Sequence, residues 1–189
     1  MLALYILAYL IIVGFLLIER FLRSGSKDMK AKNSDKGSTM LVSVVMGVAF
    51  VLSILAPLLN WLKIGSIPWL WVGIVGVALG MGGLFIRQSA FRTLGRFFTR
   101  TLKEERGHKL VTNGIYRYVR HPGYLSDILI FLGIMLALRN WIAAAYVLVV
   151  FSIVYTYRIH AEEQMLIGIF GDEYVRYRKR SKKLIPFVY

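Results

Sequence analysis

Five apolar stretches, each near the length needed to cross a bilayer, limit what this chain can fold into more than any other feature. They occupy residues 2–18, 40–62, 64–86, about 124–138 and 141 to about 157. Crossing the hydrocarbon as a helix takes roughly 20 apolar residues, and every backbone polar group must then be bonded within the segment. A hydrophobic share of 57% and a mean hydropathy of +0.60 belong to an integral membrane protein rather than a soluble domain. The predicted fold class is all-α, a polytopic protein with five transmembrane helices. The fourth and fifth stretches are short, and only Arg139 and Asn140 separate them. They are expected to form a tight antiparallel hairpin whose flanking side chains extend the span.

Positive residues stay preferentially on the cytoplasmic side, so their count between spans gives orientation. Residues 19–39 carry six Lys and Arg, 87–121 carry nine and the tail from Arg158 carries seven, whereas the two opposite loops carry only Lys63 and Arg139. The expectation is an outside N-terminus and a cytoplasmic C-terminus. This topology, with attraction to anionic headgroups, accounts for the formal charge of +14. No nucleic-acid-binding module is visible, so nucleic acid is not an expected partner.

The first stretch lacks a positive n-region and is followed by Glu19, Arg20 and Arg23, so it reads as a retained anchor rather than a secretion signal. Absence of cysteine excludes disulfides, thiolate nucleophiles and cysteine metal sites. His108, His121 and His160 lack metal-site spacing, and no metal is expected. Residues 23–39 are small, polar and charged, as in a flexible cytoplasmic loop, and carry no assigned chemistry. Gly73, Gly76, Gly80 and Gly83 leave one face of the third span nearly bare. Close helix packing is the plain meaning; the Gly76–Gly80 spacing also fits a homodimer through that face. A dinucleotide-binding loop from Gly80, Gly82 and Gly83 fails for want of a third glycine and a preceding strand.

Chemistry-bearing residues gather in two places. The connection before the fourth span reads GHKLVTNGIYRYVRHPGY over residues 107–124. Asn113 and Gly114 supply a turn, and Pro122 pushes His121 toward an extended conformation. Such a bent segment exposes backbone amides and carbonyls, with Tyr116 and Tyr124 offering flat faces and hydroxyls. The plainer alternative is an interfacial loop of snorkelling arginines and belt tyrosines. Beyond the fifth span, Arg158 and Glu162 share a helix face, with Glu163 about a quarter turn further round. In isolation this would be a surface ion pair worth about 0.3 to 0.5 kcal/mol, with Glu163 solvated. At the membrane edge, facing a second polar segment, ionisable groups are costly to place and point to function.

Together these segments resemble the isoprenylcysteine carboxyl methyltransferase family, related to the membrane phospholipid methyltransferases. The resemblance covers about half the chain. It runs from Gly107 through the RHPGY of residues 120–124, across the hairpin, to RIHAEEQML at 158–166 and on to Pro186. The two motifs in this order, separated by a hairpin, are specific, whereas RHP alone would be weak. The resemblance implies two regions: three N-terminal spans over 1–86 with cytoplasmic loop 19–39, and a methyltransferase core over 87–189. It implies S-adenosylmethionine as methyl donor, with S-adenosylhomocysteine as product, held by a cytoplasmic loop and C-terminal tail without a Rossmann domain. The cofactor-lining positions then fall on His108, Lys109, Leu110, Val111, Tyr116, His121, Pro122, Gly123, Tyr124 and Glu162. Arg158 matches the position that places the substrate. One departure is Thr101, which stands where eukaryotic members have a glutamine.

The chemistry implied is economical in protein groups. A donor sulfonium makes its own methyl electrophilic, so the acceptor need only be held in line behind it. A carboxylate acceptor, with a reference pKa of about 3.5, arrives ionised and needs no general base; a fixed cation that orients it is the useful group, and Arg158 suits that task. A prenylcysteine-like or other lipophilic carboxylate is the favoured acceptor, reaching the site from the bilayer. Asp127, about one turn into the fourth span, either lines that passage or pairs with a nearby arginine. Two acceptor alternatives are phospholipid amines and small thiols, which would need deprotonation. A further alternative is a non-enzymatic membrane sensor or assembly protein.

Overall fold

The computed structural model describes residues 2–25, 37–95 and 110–185, and they are organised as a helical bundle. Helix α1 (Leu2–Gly25) and α2 (Ser38–Trp61) are followed by α3 (Leu70–Leu94). A short 3-10 turn (Gly114–Arg117) precedes α4 (Pro122–Ala137). One continuous rod then comprises α5 (Trp141–Tyr146), a π-helical turn (Val147–Phe151) and α6 (Ser152–Phe170); α7 (Asp172–Arg180) is last. All five apolar stretches are helical. Four of the resulting helices are long and apolar enough to span a bilayer, and α4 is a shorter apolar helix. Its 16 residues reach about 24 Å, short of a hydrocarbon core of about 30 Å.

The fifth apolar stretch runs on as helix past its apolar part, as the shared helix face of Arg158 and Glu162 requires: the rod from Trp141 to Phe170 has 30 residues, and Arg158, Glu162 and Glu163 stand on its second half. The third span begins later than the sequence suggests, at Leu70, and runs on to Leu94. Gly65 adopts φ 73°, and Pro68 disfavours helix in the residue before it, so 62–69 forms a turn. That turn is stitched to the α4–α5 corner. The Ile67 N–H donates to the Arg139 carbonyl at 2.8 Å, the Trp141 N–H donates to Gly65 at 2.8 Å, and buried Asn140 donates to Ile64 and Asn60 while capping α5. Exposed Trp61, Trp69, Trp71 and Trp141 ring this end, as aromatic residues do at a membrane interface.

The glycine face of α3 is occupied inside the chain. A Cβ on Gly76 would sit 2.3 Å from the Ala137 nitrogen and 2.6 Å from the Gly133 oxygen, and one on Gly83 would meet Ile130; α1 covers Gly73 and Gly80 through Leu4 and Ile11. Close helix packing, the plain meaning of this face, is what it does: the surface is buried against α4 and α1 and is not open to a second copy. Between the helices lies an edge-to-face aromatic cluster, with Phe131 at 5.4 Å from Phe15, 5.1 Å from Phe50 and 5.5 Å from Phe151. Pro57 in α2 has no N–H to give the Ser53 carbonyl, and the Tyr9 hydroxyl donates to that oxygen at 3.2 Å instead. Large apolar side chains on the outer faces, such as Val51, Ile54, Phe85 and Ile153, remain exposed, as lipid contact requires.

Candidate active site

Pro122 is the first residue of α4, where its fixed φ suits a helix start and its missing N–H costs nothing. His121 before it has φ −122° and ψ 58°, outside the helical region, and the non-helical stretch that it ends pairs with the tail. The Arg120 and His121 N–H groups donate to the carbonyls of Lys182 and Lys183 at 2.8 and 3.1 Å, and the Lys182 N–H donates to Tyr118 at 2.9 Å. Gly171, at φ 53°, separates α6 from α7. Asp172 and Glu173 in the first turn of α7, with Arg178, Lys179 and Arg180 in its last, match the helix dipole. Tyr174 and Tyr177 form the buried face of α7, and the Tyr177 hydroxyl donates to the Tyr116 carbonyl at 2.6 Å. The RHPGY segment and the tail are therefore one unit.

The α6 side chains complete that unit. The Tyr124 hydroxyl donates to Glu162 Oε2 at 2.7 Å and accepts from Arg158 Nε at 2.9 Å. Both sequence motifs thus converge on one oxygen atom. Arg158 is buried, and its Nη1 donates to the hydroxyls of Ser38 at 2.7 Å and Thr39 at 3.1 Å, at the start of α2. His121 lies between two carboxylates, with Nδ1 at 3.5 Å from Glu162 Oε2 and Nε2 at 3.5 Å from Glu163 Oε1. Burial alone would lower its pKa; the Glu162 and Glu163 carboxylates outweigh burial and hold the imidazole above its ordinary value. Burial pushes the Tyr177 phenol up to about 12, so it stays protonated and a donor.

Below this level sits a second buried polar cluster. Arg87 of α3 donates through Nε to Glu19 at 2.9 Å and through Nη1 to Asp127 at 2.5 Å, to Ser126 at 3.2 Å and to the Gly123 carbonyl at 3.4 Å. Asp127 accepts in addition from the Tyr155 hydroxyl at 2.8 Å. Of the two roles open to Asp127 in the sequence, the geometry displays arginine pairing.

His121, Pro122, Gly123, Tyr124, Arg158 and Glu162 are brought together, with Tyr116 joined through Tyr177. Leu110 and Val111 are half-buried ahead of the 3-10 turn; His108, Lys109, Thr101 and most of loop 19–39 lie outside the described residues. Glu163 is not solvated, contrary to the simple reading of the helix. It accepts from Arg120 Nε at 2.8 Å and lies 3.5 Å from Arg178. Ser38, Thr39, Glu19, Arg87 and Tyr155 escaped the sequence reading. Arg87 enters the sequence reading only as one of the loop cations and Glu19 only as a flank of the first stretch, although each stands within a turn or two of an apolar run, where an unpaired charge would be costly.

The family model for phospholipid methyltransferases matches residues 71–173, which hold α3 through the start of α7. Protein-S-isoprenylcysteine O-methyltransferase B of Arabidopsis thaliana is 33% identical over 155 residues, covering 80% of this chain and 78% of that one. The chain belongs to the isoprenylcysteine carboxyl methyltransferase family. A fission yeast relative, the protein-S-isoprenylcysteine O-methyltransferase of Schizosaccharomyces pombe, is 36% identical over 56% of this chain and 46% of its own; the human enzyme of that name is 33% identical over 68% and 45%. Among solved structures, the eukaryotic intramembrane Ras methyltransferase superposes with a TM-score of 0.62 at 27% identity, over 78% of this chain and 52% of that one. The chain therefore spans about half the length of those three relatives. Membership of this family of membrane methyltransferases makes it a multi-pass integral membrane protein that works with a methyl donor.

Proposed function

We propose that this chain transfers a methyl group from S-adenosylmethionine to the carboxylate of a prenylcysteine-like or other lipophilic acceptor. The observation that carries the reading is the convergence of the HPGY turn and the Arg158–Glu162 turn of α6 on the Tyr124 hydroxyl. Two features of the described residues fit the donor. Glu162 keeps 24% of its side chain exposed and so can face a cationic ligand, and the stacked rings of His121 and Tyr124 beside it offer a flat aromatic surface. His108, Lys109, Leu110, Val111, Tyr116, His121, Pro122, Gly123, Tyr124 and Glu162 would hold it, and when bound it supplies an electrophilic sulfonium methyl.

Arg158 orients the acceptor carboxylate. Its planar fork, fixed by Tyr124, Ser38 and Thr39, presents a cation without ionising anything itself. No base is required, because the acceptor arrives ionised. A site screened from water favours the step in which carboxylate and sulfonium charges disappear together. Among the described residues, Arg87, Arg117, Arg120 and the basic last turn of α7 lie at the Tyr124 end of the bundle, which supports a reading in which this end faces the cytoplasm, with the N-terminus outside and the C-terminus inside. The acceptor reaches Arg158 from the bilayer.

The purified protein incubated with radiolabelled donor and a panel of prenylcysteines, phospholipids and thiols tests the proposal. Label should enter a base-labile ester of the prenylcysteine. Label found only in phospholipid amines or thiols, with a rate that climbs through a basic acceptor pKa, would replace this reading.

A further inference from the structure

His121, Tyr124 and Tyr155 form a continuous aromatic stack. The first two ring centroids are 5.7 Å apart at 14°, and the second pair 4.8 Å apart at 20°. The upper end of the stack carries the groups named above: Glu162 and Glu163 on His121, and Arg158 with Glu162 on the Tyr124 hydroxyl. Its lower end belongs to no part of the proposed reaction. There the Tyr155 hydroxyl is tied to Asp127 Oδ2 at 2.8 Å, and the other oxygen of that carboxylate is tied to Arg87 at 2.5 Å. Arg87 reaches both neighbouring elements, binding Glu19 of α1 and the Gly123 carbonyl and Ser126 hydroxyl of α4, with its guanidinium 4.9 Å over the Phe15 ring.

This arrangement does more than neutralise a buried arginine. An arginine needing only a counter-charge has Glu19, which accepts from both Nε and Nη2. Its remaining nitrogen grips the first turn of α4, on which Tyr124 stands. Asp127 adds a constraint on a different helix by holding the hydroxyl of Tyr155 from α6. The oxygen of a phenol lies on the axis of its last side-chain torsion, so tying it fixes where the ring points, while packing against its face fixes how the ring is turned. Tyr155 has both restraints, and Tyr124 lies on its face.

We infer that Arg87, Asp127 and Tyr155 are positioning residues that set the Tyr124 ring, and through its hydroxyl the Arg158 guanidinium, for the acceptor. The inference rests on the reading of Arg158 as the acceptor-orienting cation. It assigns Asp127 to an acceptor effect transmitted through two rings rather than to contact with the acceptor. A chain of tied groups transmits small displacements: a shift of about 1 Å at the reacting centre is enough to lower a rate by about a hundredfold.

Tyr155→Phe deletes one oxygen and keeps the stacked ring. It is expected to lower kcat on a prenylcysteine acceptor about threefold to tenfold, with a clearly smaller change in donor KM and in S-adenosylhomocysteine affinity, since Tyr124 also lies among the residues assigned to the donor. Asp127→Asn should give a similar split, and the double variant should lose no more than the worse single one, since both cut the same chain. Parent-like kcat in Tyr155→Phe, multiplying losses in the double variant, or an equal fall in S-adenosylhomocysteine affinity would each overturn the inference. Arg158→Lys separates this failure from that of the reading beneath it. Slow turnover there with parent-like Tyr155→Phe removes only the positioning chain; parent-like turnover in Arg158→Lys removes the reading itself.

Discussion

Gly76→Ala tests the contact that brings α3 and α4 together. The added Cβ would lie 2.3 Å from the Ala137 nitrogen, 2.6 Å from the Gly133 oxygen and 2.7 Å from the Leu136 carbonyl carbon, all backbone atoms that cannot rotate aside. Ordinary contact starts at 3.4 Å, so the two helices must part by about 1 Å. Overpacking of that kind costs about 1–3 kcal/mol. The same movement would lengthen the Arg87–Asp127 contact, now 2.5 Å between these helices, to about 3.5 Å, the outer edge of hydrogen-bond range. Gly82→Ala is the control on the same helix, because nothing lies within 4 Å of its added Cβ and alanine is the better helix former. Thermal unfolding of both variants in one detergent, with methyl transfer measured alongside, should show Gly76→Ala less stable and less active and Gly82→Ala at least as stable as the parent. Equal behaviour of the two would refute the claim that backbone contact at this face sets the helix separation.

Glu162→Gln should weaken S-adenosylhomocysteine binding by about tenfold to a hundredfold, the range for loss of a charged hydrogen-bond partner, as read by calorimetry. Arg158→Lys should slow turnover about tenfold, or about 1.4 kcal/mol of barrier, with that affinity kept, because a point charge replaces a planar fork; unchanged kcat would remove Arg158 from the reaction. The π-helical turn absorbs one extra residue, so deleting exposed Val149 within it should leave α6 nearly in place. Deleting exposed Ile153 from the regular helix turns α6 by about 100° and should abolish activity; similar activities would count against this account. His121 has a raised pKa in the folded protein, so its contribution to stability is complete below about pH 6.5 and disappears as pH rises through the raised value. The melting-temperature gap between parent and His121→Gln should therefore narrow at alkaline pH, and a gap that widens there would contradict the carboxylate sandwich.

Hydrophobic length made the number of helices legible, because bilayer thickness is a property of each segment alone. Ends were less legible where one segment depends on another. The turn at 62–69 is held by Asn140, 76 residues after Ile64, and no local signal announces that partnership. The glycine face was readable as a packing face, but its occupant was not: Gly133, which admits α3 so closely, has no second glycine within a turn or two of it in α4 to mark a packing face. At the site, the motifs supplied His121, Tyr124, Arg158 and Glu162 because their spacing is local. Ser38 and Thr39 were invisible for the opposite reason, since they meet Arg158 across 120 and 119 residues of chain.

The buried charges show why these distant partners matter together. Arg87, Arg120 and Arg158 are all buried, and each reaches at least two elements: Arg87 joins α1, α3 and α4, Arg120 joins the α4 approach to α6 and the tail, and Arg158 joins α6 to α4 and α2. Removing one partner from such a contact leaves a desolvated charge, which is far more destabilising than the intact pair is stabilising. Stability from packing alone would be better served by apolar residues in these places. The guanidinium groups instead fix directions, since a planar fork with several donors holds several acceptors at set angles. Three such forks, all near the Tyr124 end of the bundle, make geometry at that end stiff, while the lipid-facing surface needs only to be apolar. A site that orients an ionised acceptor and donates no proton of its own depends on that stiffness more than on any titrating group.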